Sequence, residues 1–246
     1  MNGHIFVIST GPGCVEWIPD AVLSAMEKAD LFLGYSTYLK QIESLFPDIP
    51  RESSSMRQET ARAERAVLLA KEGKKVAVIS GGDAGIFGMA GLILEKTAAL
   101  WPEGLSEVEV LPGISALNAA ASLVGAPLMT DFAAISLSDY LIPIETIMLR
   151  VENAVKAGFI LCLYNPKSKI RTEPYDQCCQ ILNRNLASET PVAIVQGAYR
   201  SSQTIRTITL GQLPDEEIGM DCILLIGNKT TRQLGRWMVT PRGYTI

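Results

Sequence analysis

The segment Gly81-Gly82-Asp83 has the residue types from which a small-molecule site can be built. Glycine adopts backbone angles that other residues rarely adopt, and it lets the main chain approach a ligand closely. The aspartate that follows can cap a helix and can also present a carboxylate. The same three residues would equally suit a plain connection between a strand and a helix, so the neighbouring elements have to decide between the two.

The flanking residues predict a strand before this segment and a helix after it. Val76-Ala77-Val78-Ile79 is a largely β-branched apolar run, which is typical of a strand buried on both faces. The small residues and glycines from Ala84 to Gly91 predict a helix that starts directly after the loop. Because ligands often bind at the carboxyl ends of parallel strands, this order of elements favours a ligand loop at Gly82.

Apolar runs elsewhere in residues 1–113 predict further strands and helices. The strands are predicted at Ile5–Ile8, Leu31–Tyr35 and Val108–Leu111, and the helices at Ile18–Lys28, Tyr38–Phe46 and Arg57–Glu72. Such alternation indicates a mainly parallel sheet covered by helices. Arg57, Arg62 and Arg65 are expected on the solvated face of their helix, with Arg57 as an alternative anion contact at its loop end.

Residues 114–246 predict a sheet of a different kind. Strands are predicted at Ala133–Leu137, Phe159–Tyr164, Pro191–Val195, Thr204–Leu210 and Cys222–Ile226. The segment Gly211–Asp221 is too short for a packed crossover helix, so some pairing should be antiparallel. We therefore expect an α/β fold with two α/β domains, 1–113 and 114–246, and a cleft between them.

Composition narrows the class of protein. With 246 residues, 48% of them hydrophobic, the chain can bury a sizeable core. Its 22 basic and 26 acidic residues give a net charge of -4, which does not favour a broad nucleic-acid-binding face. The five cysteines lack C-x-x-C spacing, which favours reduced thiols over disulfides, a zinc site or an iron–sulfur cluster.

The amino-terminal residues and the apolar stretches predict a soluble, cytoplasmic protein. The amino terminus has no basic segment followed by a long apolar run, as a signal peptide would have. The stretch Ile114–Met129 is interrupted by polar residues and by Pro127, so it does not predict a membrane span.

The common nucleotide-binding and hydrolytic motifs are not matched. Gly11-Pro12-Gly13 follows a predicted strand, but Glu16 stands where a dinucleotide fingerprint has its third glycine. There is no G-K-[ST] motif, and the only histidine, His4, opens a strand, where a structural role is expected. A nicotinamide cofactor, a P-loop and a Ser-His-Asp triad are therefore not predicted.

Short motifs in a fixed order resemble the tetrapyrrole methylases, which use S-adenosylmethionine. They are Gly11-Pro12-Gly13, Gly82-Asp83, Pro112-Gly113-Ile114-Ser115, Tyr164-Asn165-Pro166 and Ile226-Gly227-Asn228. Two longer segments, Asp131–Asp139 and Met238–Tyr244, resemble the branch of precorrin-3B C(17)-methyltransferases and cobalt-factor III methyltransferases. The resemblance extends over nearly the whole chain.

The resemblance implies where the cofactor and the substrate bind. The active site would lie in the cleft, with the tetrapyrrole on the side of domain 1–113 and with domain 114–246 sharing the S-adenosylmethionine site. The implied cofactor-binding residues are Gly82, Asp83, Ile86, Ser115, Ala116, Tyr164, Asn165, Ala198, Ile226 and Gly227. For the substrate we expect Gly11 and Pro12, and for its carboxylates Lys167, Lys169 and Arg171, followed by Arg57 and Arg200. Lys167, Lys169 and Arg171 would equally suit a solvated basic loop.

The implied reaction is methylation of carbon 17 with contraction of the ring, in cobalamin biosynthesis, by a homodimer. Positioning can supply most of the rate because the methyl donor is already activated, so no nucleophilic side chain is required. Ring contraction moves protons, and Ser9, Thr10 and Ser138 are candidates for that step, whereas Asp139 suits a turn or a cap.

Other functions stay open at this point. The substrate could contain cobalt or be metal-free. The chain could instead be a methylase of the same fold that acts on another corrin carbon or on a macromolecule, either ribosomal RNA or a protein. A cofactor-binding module without catalysis is the third possibility.

Overall fold

The computed structural model describes residues 3–55 and 57–245, and the chain divides into two compact units. Residues 1–116 form the N-terminal unit and residues 117–246 the C-terminal unit. Each unit contains a five-stranded sheet.

The sheet of the N-terminal unit is entirely parallel. Its strands are β1 (His4–Ser9), β2 (Leu31–Tyr35), β3 (Arg51–Ser54), β4 (Lys75–Ser80) and β5 (Val108–Val110), in the order β3-β2-β4-β1-β5. The strand before Gly81-Gly82-Asp83 is thus the central one. Because all five strands point the same way, the loops that follow them emerge at one edge of the sheet.

Helices cover both faces of this sheet. They are α1 (Asp20–Met26), α2 (Ser36–Gln41), α3 (Glu59–Lys71) and α4 (Ala90–Leu100), and α5 (Ala116–Val124) begins at the last residue of the unit. Alternate residues of β4 enter two separate cores: Val76 and Val78 pack with α3 and α4, whereas Ala77 and Ile79 pack with α1 and α2. The prediction that this strand is buried on both faces is confirmed.

The C-terminal unit has a mixed sheet, as predicted. Its elements are β6 (Gly125–Ala126), β7 (Phe132–Ser136), α6 (Ile144–Lys156), β8 (Ile160–Tyr164), α7 (Glu173–Asn185), β9 (Pro191–Gln196), β10 (Thr204–Thr209), β11 (Cys222–Ile226), β12 (Arg232–Leu234) and β13 (Trp237–Val239). In the order β10-β9-β11-β8-β7 only β7 and β8 pair in parallel, and β12, β13 and β6 form a small separate sheet.

In the N-terminal unit one strand was missed and two helix predictions were wrong. Strand β3 was not predicted, because its residues are polar and it lies at an exposed edge of the sheet. The helix predicted at Tyr38–Phe46 is the shorter α2, which starts earlier, at Ser36, and ends at Gln41. The helix predicted directly after Asp83 begins only at Ala90, after a loop of turns and bends.

Arg62 is another correction, since it is buried rather than solvated, with 7% of its surface exposed. Its Nε donates a hydrogen bond to Oγ of Ser54 at 2.7 Å, and its Nη2 donates to the carbonyl of Ser55 at 3.3 Å. Burial lowers the pKa of the guanidinium. Arg62 therefore attaches helix α3 to the end of the polar strand β3.

Two further findings bear on the class of protein. Within the part of the chain that the structure describes, no helix combines the length and apolar character needed to cross a membrane. All five cysteines are free, and Cys162, Cys178 and Cys222 are buried.

Candidate active site

The loops after β1 and β4 are joined by a pair of backbone hydrogen bonds. The N–H of Gly82 donates to the carbonyl of Gly11 at 2.7 Å, and the N–H of Gly11 donates to the carbonyl of Gly82 at 3.1 Å. Both glycines have positive φ, +67° at Gly82 and +70° at Gly11. Glycine is needed at both positions because other residues adopt these angles only with strain.

The Asp83 carboxylate ties the loop after β4 to the loop after β5. Its Oδ2 accepts a hydrogen bond from the N–H of Gly113 at 3.0 Å, and its Oδ1 accepts one from the N–H of Gly85 at 2.8 Å. The expected role as a helix cap is wrong, because α4 starts at Ala90 and no side chain caps it. Both carboxylate oxygens are instead used within the loops.

Ser9 and Thr10, two of the candidates for proton transfer, are buried in this cluster of loops. The Ser9 hydroxyl donates to the carbonyl of Leu111 at 2.6 Å and accepts from the N–H of Ala84 at 2.8 Å. The Thr10 hydroxyl donates to the carbonyl of Ser80 at 3.2 Å. These contacts give both side chains a structural role, and a catalytic role stays a prediction.

Gly82 also lies beside the start of helix α5. A Cβ atom built at Gly82 would have only the Ala116 nitrogen, at 3.6 Å, and the Ser115 Cα, at 3.8 Å, within 4 Å. The missing side chain thus leaves room beside backbone N–H groups at a helix N-terminus, which are suited to bind a negatively charged or polar group. Gly82, Ser115 and Ala116, predicted from separate motifs, are therefore neighbours.

Ile86 and its neighbour Phe87 place apolar surface on the loop between Asp83 and α4. Their exposed fractions are 37% and 55%, and Phe87 has a φ of +53°. Phe87 was not predicted as a site residue, since a single aromatic residue in a glycine-rich loop carries no distinctive signal. An aromatic residue with positive φ is uncommon, which makes this loop a candidate part of the site.

In the C-terminal unit, Tyr164 and Asn165 lie at the end of β8. The Tyr164 hydroxyl accepts a hydrogen bond from the N–H of Leu117 at 3.0 Å. Asn165 has a φ of +50°, and its Nδ2 donates to Oγ of Ser136 at 3.0 Å. Ser136 was missed by the sequence analysis, although it lies in a segment that carries the family resemblance.

Arg171 makes several contacts at the same edge of the mixed sheet. Its Nη1 donates to the carbonyl of Leu137 at 2.5 Å, and its Nη2 donates to the carbonyl of Asn165 at 2.6 Å. Its Nε lies 3.8 Å from Oδ1 of Asp139.

Ser138, the third candidate for proton transfer, is half-buried, and its N–H donates to Oγ of Ser136 at 3.3 Å.

The other predicted cofactor residues of this unit lie at the ends of neighbouring strands. Ala198 follows β9, between Gly197 and Tyr199, which both have positive φ. Ile226 ends β11 and is fully buried, and the N–H of Gly227 donates to the carbonyl of Pro191 at 2.9 Å. The candidate cofactor residue Ala198 therefore lies in a turn, and the main chain of Gly227 is held in place by a hydrogen bond.

The predicted substrate cations are spread over both units. Arg57 has a φ of +67°, and its N–H donates to Oε1 of Glu59 at 3.2 Å. The Nζ of Lys167 lies 5.3 Å from the centroid of the Tyr175 ring. Pro12 directly follows Gly11, whose backbone pairs with Gly82. Substrate binding by these residues and by Arg171 stays a prediction.

Known proteins similar to this chain include curated sequences and solved structures. It is 42% identical over 99% of its length to the cobalt-factor III methyltransferase of Priestia megaterium, of which it spans 46%. It is 39% identical to the probable cobalt-factor III C(17)-methyltransferase of Salmonella typhimurium, with 98% of this chain and 99% of that protein covered. The crystal structure of the methyltransferase CobJ matches with a TM-score of 0.90 and 33% identity, over 97% of this chain and all of that one.

The family model described as tetrapyrrole (corrin/porphyrin) methylases matches residues 4–214. That range includes the glycine loops of the N-terminal unit and the ends of β8 and β9. The match agrees with the α/β architecture and with the relatives above, and the chain belongs to the tetrapyrrole methylase family.

Proposed function

We propose that this protein transfers a methyl group from S-adenosylmethionine to carbon 17 of a precorrin-3B-type tetrapyrrole, with contraction of the ring, in cobalamin biosynthesis. The support from similarity is the Salmonella relative, whose name specifies a C(17)-methyltransferase and which aligns over nearly the whole of both chains. The structural observation that carries the proposal is the room left by Gly82 beside the start of α5.

The residues present fit S-adenosylmethionine. The open position at Gly82 would be filled by any Cβ, and it adjoins the Ala116 nitrogen, a hydrogen-bond donor for the polar ends of the cofactor. In the C-terminal unit, considered by itself, Asn165 and the neighbours of Ala198 have positive φ, and turns of this kind suit main-chain contacts with a polar ligand. The cofactor supplies a methyl group that its sulfonium has already activated.

The protein's own residues then orient the cofactor and the substrate and shield the reacting groups from water. Gly82 and Asp83 hold the main chain of the ligand loop, and half-exposed Ile86 provides apolar surface that keeps water away from the reacting groups. Ile226 packs in the core of its unit, so we expect it to contribute its main chain. Correct placement of a carbon nucleophile and a methyl group accounts for much of the acceleration in such a transfer.

For the proton transfer that accompanies ring contraction, we propose Ser138. Ser9 and Thr10 are buried and donate their hydroxyl protons to backbone carbonyls, whereas Ser138 is only half-buried. A group that exchanges a proton with the substrate must reach it, which favours the more accessible hydroxyl. Ser138→Ala should therefore slow ring contraction more than methyl transfer.

The proposal extends to assembly and compartment by resemblance. We propose that the enzyme is a homodimer and acts in the cytoplasm, where its five free cysteines would stay reduced. Sedimentation of the purified protein would test the first statement.

Titration with S-adenosylhomocysteine, with NAD as a control ligand, tests the cofactor part of the proposal. We expect one equivalent per chain to bind and NAD to give no heat. The reaction is tested next with ¹³C-methyl S-adenosylmethionine and with cobalt-containing and metal-free substrates, the product being read by NMR. A methyl signal at carbon 17 supports the proposal, and a signal at another carbon contradicts it.

A further inference from the structure

Arg171 connects the ends of the two parallel strands of the C-terminal sheet. One nitrogen of its guanidinium donates to Leu137, which directly follows β7, and another donates to Asn165, which directly follows β8. The side chain is 17% exposed, and the loop that carries it is closed on itself by hydrogen bonds between Ser168 and Arg171. The guanidinium is therefore built into this edge of the sheet.

The turn at Asn165 is held by contacts to its side chain and to its backbone carbonyl. A residue with a φ of +50° is costly to hold unless its surroundings fix it, although asparagine tolerates this region better than most. Its side-chain amide is bound to Ser136, and its carbonyl is bound to Arg171. These two hydrogen bonds fix the amide and the carbonyl of the same turn.

The charge of Arg171 is compensated within the protein. Asp139 lies 3.8 Å from Nε, and two backbone carbonyls accept from Nη1 and Nη2. Lys169, two residues earlier, is exposed and carries the same charge. A substrate carboxylate would therefore meet exposed Lys169 more readily than the guanidinium of Arg171, whose side chain is 17% exposed.

We infer that Arg171 is a positioning residue that holds the Tyr164-Asn165 turn in the shape required for cofactor binding, rather than a ligand of substrate carboxylates. The inference rests on the proposed function, which assigns Tyr164 and Asn165 to the cofactor. The planar guanidinium reaches two carbonyls with two separate nitrogens, a geometry that a lysine ammonium reproduces only in part.

The test separates cofactor affinity from substrate affinity. For Arg171→Ala we expect the dissociation constant of S-adenosylhomocysteine to rise at least about tenfold, the range expected from losing charge-assisted hydrogen bonds. The KM for the tetrapyrrole at saturating S-adenosylmethionine should change less than about twofold, since this site is not its ligand. The dissociation constant of S-adenosylhomocysteine for Arg171→Lys should lie between the values for Arg171→Ala and the wild type.

Two controls test whether weaker binding of S-adenosylhomocysteine comes merely from removing a positive charge or from unfolding of the protein. Arg150→Ala removes an exposed arginine from α6 of the same unit and should leave the affinity for S-adenosylhomocysteine unchanged. Added methylguanidinium should restore part of the affinity in Arg171→Ala and none in the wild type. If Arg171→Ala does not fold, Arg171→Lys, which keeps the charge, provides the comparison.

Wild-type affinity for S-adenosylhomocysteine in both Arg171 variants would overturn the inference, as would a rise confined to the KM for the tetrapyrrole. Failure of the wild type to methylate a tetrapyrrole would instead contradict the proposed function. The affinity comparison is made without any tetrapyrrole, so the two failures can be told apart.

Discussion

The carboxylate of Asp83 accepts a hydrogen bond from the N–H of Gly113, with 3.0 Å between Oδ2 and the nitrogen. Gly113 packs so closely that a Cβ there would lie 2.6 Å from both the Gly82 carbonyl oxygen and the Ser9 Cβ. The loops after β1, β4 and β5 thus form one hydrogen-bonded and close-packed group. We expect changes to any of these loops to alter Gly82 and the proposed ligand position beside it.

Asp83→Asn should weaken cofactor binding by disturbing this group of loops. An asparagine has one oxygen acceptor, so its amide nitrogen would face the N–H of either Gly85 or Gly113. Losing a hydrogen bond to a charged acceptor costs about 1.5–3 kcal/mol, part of which should appear as about a tenfold loss of S-adenosylhomocysteine affinity. Calorimetric titration measures the loss, and Asp48→Asn, which changes an exposed aspartate of the same unit, should bind normally. Equal affinities would show that the Asp83 contacts do not govern the site.

Gly82→Ala tests the ligand position itself against a matched glycine. Gly82 and Gly235 have similar φ values of +67° and +59°, so alanine should destabilise the fold by about 1–2 kcal/mol at either position. A Cβ at Gly235 has no atom within 4 Å, whereas one at Gly82 enters the space beside Ala116. We therefore expect only Gly82→Ala to lower the affinity for S-adenosylhomocysteine. A similar loss of affinity in the Gly235→Ala variant would assign the effect to stability alone.

Arg62→Ala should destabilise the N-terminal unit far more than Arg65→Ala. Both residues lie on α3, but Arg62 is buried against Ser54 and Ser55, whereas Arg65 is exposed and paired with Glu52. Removing the buried side chain of Arg62 loses its hydrogen bonds to Ser54 and Ser55, and a hydrogen bond that involves a charged group contributes about 1.5–3 kcal/mol. Exposed ion pairs contribute little. Denaturant unfolding compares the two variants. A larger loss in Arg65→Ala would contradict the buried role of Arg62.

The buried thiol of Cys162 should make the fold less stable at alkaline pH. Burial raises the pKa of this thiol to about 12, above the ordinary value near 8.5 that applies in the unfolded chain. From about pH 9 to 12 the unfolded chain loses the proton first, so the stability falls by about 1.4 kcal/mol per pH unit. Well below pH 8.5 both states keep the proton, and this contribution to stability is constant.

Cys162→Ala should remove that part of the pH dependence. The unfolding free energy of the wild type minus that of the variant should fall between pH 8 and pH 10, because only the wild type carries this thiol. The remaining buried thiols and tyrosines contribute equally to both proteins and cancel in the comparison. A difference that is constant with pH would show that Cys162 ionises as readily in the folded protein as in the unfolded one.

The sequence by itself determined most of the strands and the family. Apolar runs such as Val76–Ile79 and Cys222–Ile226 are local signals, because a strand buried in a sheet must be apolar along its length. The same signal fails for β3, whose polar residues pair at an edge that is not buried. The motifs of the family resemblance are local as well, and they predict Gly82, Ser115 and Ala116 as site residues without showing that the three are neighbours.

Only the tertiary structure decided what individual polar side chains do. Asp83 and Gly113 are 30 residues apart, and Ser9 and Leu111 are 102 apart, so no pattern of nearby residues could reveal their hydrogen bonds. These contacts arise because β1 lies between β4 and β5, which brings the three following loops together. Arg62 and Arg171, expected in solvent or on substrate, likewise donate hydrogen bonds to groups of the protein itself at the ends of strands. The position of a charged side chain depends on which hydrogen-bonding groups lie within its reach. The order of the strands determines which groups those are.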